Sequence, residues 1–174
     1  VKQCAEMGLL GVCVPEEYGG AGLDHLSDVL VMEQLARHSS SLASIIDAHA
    51  SLGSMPILMA VSEEQKQKYL APAATGETLC AFALTEPQSG SDAAQIRTTA
   101  VLDGDEWVIN GSKAFITNST YASTFLVAAK TDLEAKGSRG ISIFIVPEGL
   151  PGFEVGKPEE KMSNRSSYSC PLSF

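Results

Sequence analysis

Cys80-Ala-Phe-Ala-Leu-Thr-Glu-Pro-Gln-Ser-Gly-Ser-Asp92 and Asn110-Gly-Ser-Lys-Ala-Phe-Ile-Thr-Asn118 are the two stretches that decide the reading of this 174-residue chain. The first runs an apolar strand into a loop of small and hydroxylated residues. In that loop Pro87 stiffens the backbone, Gly90 permits a positive φ, and Ser91 with nearby N–H groups can hold phosphate oxygens. The second stretch ends a strand on Phe115 and Thr117. Residues two apart in a strand point to the same side, so a ring face stands beside a hydroxyl. A flat heteroaromatic ring carrying a pyrophosphate would engage both stretches, with strand 80–85 offering main-chain donors and acceptors to the ring edge. This is the outline of a flavin dinucleotide site. Each signal alone has a plainer reading: a turn for the first, and a half-buried strand with Phe in the core for the second.

Outward from these blocks the hydrophobic period changes once. Residues 1–77 read as helical. Apolar residues from Leu26 to Ala36 recur at three- and four-residue spacing, with Asp24 placed to cap the start. A second helix carries Leu42, Ile45, Ile46 and His49 on one stripe. A third, 63–70, opens with the capping box Ser62-Glu-Glu-Gln65 and is expected to close near Pro72. Tyr18-Gly-Gly-Ala-Gly22 reads as a loop between helices. After Thr78 come short strand candidates at 80–85, 96–102, 106–110, 113–117, 124–130 and 141–146. Asp103-Gly104 and Asn110-Gly111 are dipeptides that two-residue hairpins favour, so 96–117 is expected to form a three-stranded antiparallel meander. The fold class is therefore α+β: an all-α helical domain at 1–79, then a small antiparallel β-barrel or sandwich domain at 80–174.

Composition sets the outer limits. Apolar residues make up 44% and charged residues 19%, which is globular and excludes disorder. A net charge of −9 makes nucleic acid a poor candidate partner. Cysteines at 4, 13, 80 and 170 show no C-x-x-C spacing and no disulfide framework, and the three histidines form no zinc pattern, so no metal site is expected. No membrane span is expected, because the most apolar run, 41–61, carries Asp47 and His49. The three N-x-S/T triplets, at Asn110, Asn118 and Asn164, are read as chance. No G-x-G-x-x-G follows a strand, which argues against a Rossmann site. The chain begins inside a helical pattern at Val1 and ends in a strand-like segment at Phe174, as a piece of a longer protein would.

Two titratable residues compete for a chemical role. His49 on an apolar stripe reads as a satisfied core histidine, and Glu86, directly before Pro87, as a structural acceptor within its loop rather than a general base.

Leu84 to Asp92 resembles the L-T-E-P-x-x-G-S-D signature of the acyl-CoA dehydrogenases, and Asn110 to Asn118 resembles their N-G-x-K-x-[WF]-I-T-N. The likeness continues through Arg139 to Val146 and Pro151-Gly-Phe153, and upstream through Val14 to Leu23 and Glu63 to Leu70. It is collinear over nearly the whole chain. Resemblance implies FAD as cofactor, with oxidation of an acyl-CoA thioester to the 2,3-enoyl-CoA and electrons passed to an electron-transferring flavoprotein. An acyl-CoA oxidase, a nitroalkane-oxidase-like flavoenzyme and a non-catalytic interaction module remain open alternatives. By the same resemblance Phe82, Ala83, Leu84 and Thr85 run along the flavin edge. Gly90 and Ser91 meet the pyrophosphate, and Phe115, Ile116 and Thr117 lie beside the ring, with Thr117 near N5. Ser91 also lies close to the acyl-CoA, joined by Ser138 and Arg139, and the helix from Ile46 to Leu52 borders the acyl pocket. The family's base is a Glu of a C-terminal helical bundle missing here, so no catalytic residue is named. The intact enzyme would be a homotetramer of the bacterial cytoplasm or mitochondrial matrix. Two positions depart from the pattern. Gln88 replaces a frequent Gly, and Pro171 replaces an acidic residue, which is expected to weaken the last strand's pairing.

Overall fold

The computed structural model describes residues 1–174. The helical half comprises α1 (Lys2–Glu6), α2 (His25–His38), α3 (Ser40–Ala60) and α4 (63–74). Local caps act as the sequence predicts. Asp24 accepts from the Ser27 N–H at 2.9 Å, and Ser62 and Gln65 form the reciprocal capping box. The fourth helix does not close at Pro72 but runs on to Ala74. Its middle, Lys66–Leu70, and the middle of α3, Ala48–Ser54, are wound as wide π turns, and each sits just ahead of an in-helix proline, Pro72 or Pro56. The wider turn makes room for a ring that would otherwise strike the carbonyl four residues back. The third helix is, contrary to the sequence expectation, long and apolar enough to cross a bilayer. In this fold it lies in the core, with Ile46, His49 and Ile57 wholly buried.

Eight strands follow: β1 (Cys80–Ala83), β2 (Thr99–Asp103), β3 (Glu106–Asn110), β4 (Ser112–Thr117), β5 (Thr124–Lys130), β6 (Ile141–Pro147), β7 (Glu154–Val155) and β8 (Ser169–Ser173). They form two sheets rather than a closed barrel: β1-β5-β2-β3 with β6 on β5, and β4-β8-β7. The first is mixed, because β1 and β5 run parallel. Strand β5 is apolar from Phe125 to Ala129 and buried from Thr124 to Ala129, as a strand covered on both faces must be. Leu126 joins Cys80 and the helices in one cluster, while Phe125 and Val127 join Ala81, Ala83, Ile116 and Leu172 in a second, between the sheets. The order of layers is helices, first sheet, second sheet.

The expected meander is half present. Asp103-Gly104 turns β2 into β3, with Gly104 at φ 63°. Asn110-Gly111 makes no hairpin. There the chain crosses to the other sheet, where β4 pairs β8 and Gly111 exchanges both backbone hydrogen bonds with Phe174. A Cβ on Gly111 would sit 2.7 Å from Thr98 Cα, so only glycine passes. Pro171 does not weaken β8 as expected. Its carbonyl accepts from Gly156 N–H at 2.9 Å, so the donor it lacks would face β7, whose ladder ends there.

His49 joins three elements. Its Nδ1 accepts from the Cys80 N–H and its Nε2–H donates to the Ala73 carbonyl, each at 3.0 Å. That pattern requires the neutral ring, and burial pushes its pKa down to about 4 from 6.5. Below 6.5 the unfolded chain takes up a proton that the folded chain refuses. Stability is therefore complete above that pH and falls as pH drops toward 4, by about 3 kcal/mol. Urea midpoints measured from pH 7 to 4 are expected to fall, and His49→Gln, which keeps a donor and an acceptor but does not titrate, is expected to flatten that slope; an unchanged slope would contradict this account.

Candidate functional site

Between α3 and the edge of the first sheet lies a concavity of about 290 Å³, lined by Ala48, Leu52, Phe82, Leu84, Thr85, Phe115, Ile116 and Thr117. This is close to the lower end of ligand pockets, ~300–1,000 Å³, and suits a flat ring rather than a whole dinucleotide. None of its lining residues is charged, so the pocket can orient and hydrogen-bond a ligand but holds no acid or base of its own.

One wall comes from β1 and the residues after it. Alternation turns Cys80 and Phe82 toward the helices and Ala81 and Ala83 into the space between the sheets, so Ala83 presents only its backbone to the pocket side. Small residues here let α3 approach: a Cβ on Gly53 would overlap the Cys80 Cβ. Strand β1 has β5 as its only sheet neighbour, and the Thr85 N–H has no hydrogen-bond partner in the chain.

The other wall is β4, which carries a bulge. Lys113 pairs with Leu172 and Ile116 with Cys170, so Ala114 and Phe115 together oppose Pro171. The extra residue shifts the alternation. Lys113 and Ile116 both turn inward, and Phe115, at φ 60°, is 63% exposed at the pocket with Thr117 beside it. A bulky residue at positive φ costs about 1–3 kcal/mol and points to a local function. Just beyond, Asn118 at φ 68° donates from Nδ2 to the carbonyls of Ile45 and Cys80, fastening α3 to β1.

Beneath both walls is a buried ion pair. Lys113 Nζ donates to Glu86 Oε1 at 2.8 Å and to the Leu84 carbonyl at 3.1 Å, with Lys113 fully buried and Glu86 4% exposed. The Glu86 carboxylate also accepts from Arg97 N–H, Thr98 N–H and Gln88 Nε2. Burial by itself raises its pKa, but these donors outweigh it and hold the group at about 2. Burial draws the Lys113 pKa down, opposed by Glu86. The carboxylate is thus a structural acceptor, as its loop position predicts. The role of Lys113 had no such signal beyond a lysine set in an otherwise apolar strand.

The remaining residues singled out from the sequence lie outside the pocket. Gly90 and Ser91 are exposed on the turn after Ser89, whose Oγ donates to the Asp92 carbonyl at 2.7 Å. Gly90 does not take the positive φ that glycine permits. A Cβ there would meet nothing within 4 Å, so it offers an open surface instead. Ser138 and Arg139 are exposed on a short turn packed against the turn Ala93–Gln95, which places them at the Ser91 end of the molecule.

Comparison with known proteins gives these features a lineage. Residues 1–77 match the family model "Acyl-CoA dehydrogenase, N-terminal domain", and residues 81–174 match "Acyl-CoA dehydrogenase, middle domain". A short-chain specific acyl-CoA dehydrogenase of Clostridium acetobutylicum is 46% identical over 174 residues, covering 100% of this chain and 46% of that protein. A chain solved in work on the electron transferring flavoprotein of Acidaminococcus fermentans superposes with a TM-score of 0.95 at 48% identity, covering 99% of this chain and 45% of its own. An acyl-CoA dehydrogenase of Bacillus anthracis complexed with FAD superposes at 0.91 and 45% identity, covering 99% and 29%. The chain spans less than half the length of these proteins.

Replacing Lys113 by Met strands the Glu86 carboxylate in the interior and is expected to cost about 3–5 kcal/mol. Lys113→Met combined with Glu86→Gln removes both charges and is expected to recover most of that loss. Calorimetric or urea unfolding of both variants checks the difference; equal losses would mean that the pair is not coupled.

Proposed function

The chain belongs to the acyl-CoA dehydrogenase family, and we propose that it is the flavin- and thioester-holding part of an FAD-dependent enzyme converting an acyl-CoA to the 2,3-enoyl-CoA. The observation that carries this reading is the uncharged pocket lined by exposed Phe115, by Thr85 with its unpaired N–H, and by Thr117, whose hydroxyl also contacts Ser169 Oγ at 3.3 Å. These residues fit a flavin ring: a flat apolar face, a donor at one edge and a hydroxyl at another. When bound, FAD supplies a hydride acceptor at N5. Everything else at this site is orientation and hydrogen bonding.

In this reading Phe82, Ala83, Leu84 and Thr85 border the pyrimidine edge of the ring. Phe115 covers it, Ile116 behind it turns its side chain into the core, and the Thr117 hydroxyl lies on the N5 side. Gly90 and Ser91 meet the pyrophosphate on the open turn beyond the pocket. Ser91, Ser138 and Arg139 take the CoA side. The pocket's own residues carry no group that can accept the α-proton, so none of them is assigned as the base. We take 1–79 and 80–174 as two domains, an electron-transferring flavoprotein as the electron acceptor and a homo-oligomer as the assembly. The short-chain specificity of the Clostridium acetobutylicum relative supports a short acyl chain as substrate.

The full-length protein is expected to retain FAD on purification, and its flavin absorbance to bleach when a short-chain acyl-CoA is added without oxygen. Absence of bleaching with every chain length would remove the substrate class, and peroxide formed in air would identify an oxidase instead. Thr117→Ala deletes one hydrogen bond, worth about 1 kcal/mol, and is expected to weaken FAD binding about fivefold in an apoprotein titration.

A further inference from the structure

The geometry points to Lys113 as a positioning residue for the ring pocket, acting through the Leu84–Thr85 peptide to aim the Thr85 N–H at a ligand acceptor. The inference rests on the flavin reading above and deepens it. Three observations carry it. First, the Lys113 ammonium has two partners and no access to water. Glu86 Oε1 at 2.8 Å fixes where the nitrogen sits, and the Leu84 carbonyl at 3.1 Å takes a second proton. Second, the carbonyl and N–H of one trans peptide point in opposite directions, and the chain has no cis bond. Drawing the Leu84 oxygen inward onto Lys113 therefore turns the Thr85 N–H outward. Third, that N–H has no partner within the chain, and Thr85 lines the pocket.

The neighbouring peptide is held from the same strand. The Thr85 carbonyl accepts from Ala114 N–H at 2.8 Å, and Ala114 is one of the two bulge residues. One side chain and one backbone donor of β4 thus set the rotation of residues 84 and 85. The strand that carries Phe115 also orients the donor on the opposite wall. The recognised atom is a carbonyl oxygen or ring nitrogen at the edge of the heterocycle, since only an acceptor can use the Thr85 N–H.

The test uses the full-length protein, stripped of flavin and titrated with FAD, with affinity read from fluorescence and the environment of the ring from its absorption band. Thermal unfolding is measured in parallel. Lys113→Met with Glu86→Gln removes the ion pair without leaving a buried charge. It is expected to keep its fold yet bind FAD about tenfold more weakly, with a shifted band. Lys113→Arg keeps the charge, but its larger planar guanidinium cannot occupy the fully buried point where the compact ammonium sits, and it is expected to lose affinity in the same direction. Should the double variant not fold, the Arg variant decides. Wild-type affinity and spectrum in whichever variant folds would overturn the role of Lys113 alone. A wild-type apoprotein that takes up no FAD would overturn the flavin reading, and this inference with it.

Discussion

A buried charge pair fixes the geometry of the β half. Glu86 and Lys113 are 27 residues apart in sequence, and their contact gathers the loop after β1, the run into β2 and strand β4 at one point. Taking two ions out of water costs several kcal/mol each, and their attraction offsets that only when the remaining donors and acceptors are also matched. Here they are matched: the carboxylate has backbone partners at Arg97 and Thr98, and the ammonium has the Leu84 carbonyl. What the pair contributes is definition more than net stability. An apolar pair would fill the same space but would leave the direction of peptide 84–85 undetermined.

The helical half is attached by equally specific polar contacts, although apolar packing dominates its area. Cys80, Leu126, Ile57, Leu70 and Tyr18 share one cluster across the boundary between helices and sheet. Within it His49 and Asn118 supply hydrogen bonds that no apolar contact could replace, since they use carbonyls of Ala73 and Ile45 and the N–H of Cys80. The wide turn in α3 begins at Ala48, so the segment that lines the pocket and carries His49 is the one that departs from regular α geometry. Such turns are frequent where a helix serves a site.

Local chemistry was legible in the sequence and non-local pairing was not. The caps at Asp24 and Ser62 and the Asp103-Gly104 turn follow from residues within four positions of one another, and all three form. Asn110-Gly111 carries an equally good turn signal and fails, because β8, some sixty residues later, takes β4 as its partner. No short window contains that competitor. The parallel pairing of β1 with β5 is hidden for the same reason. At the site, Phe115 and Thr117 were found by alternation. Lys113 stands at the same odd positions and yet faces the other way, and nothing in the composition of β4 marks the extra residue that turns it. Gly90 shows the limit from the other side: glycine permits a positive φ that the chain does not take there, and a Cβ would meet nothing, so the fold itself does not require the residue.

That extra residue makes the length of β4 as consequential as its composition. In a strand without the bulge, Lys113, Phe115 and Thr117 would share a face. The lysine could then meet Glu86 only by carrying the aromatic ring inward with it, or the ring could reach the pocket only by carrying the lysine out. The bulge separates the two requirements, so the segment between Gly111 and Asn118 cannot gain or lose a single position without turning one of the two side chains the wrong way. A homologue with a one-residue gap in this strand would be a protein with a different pocket.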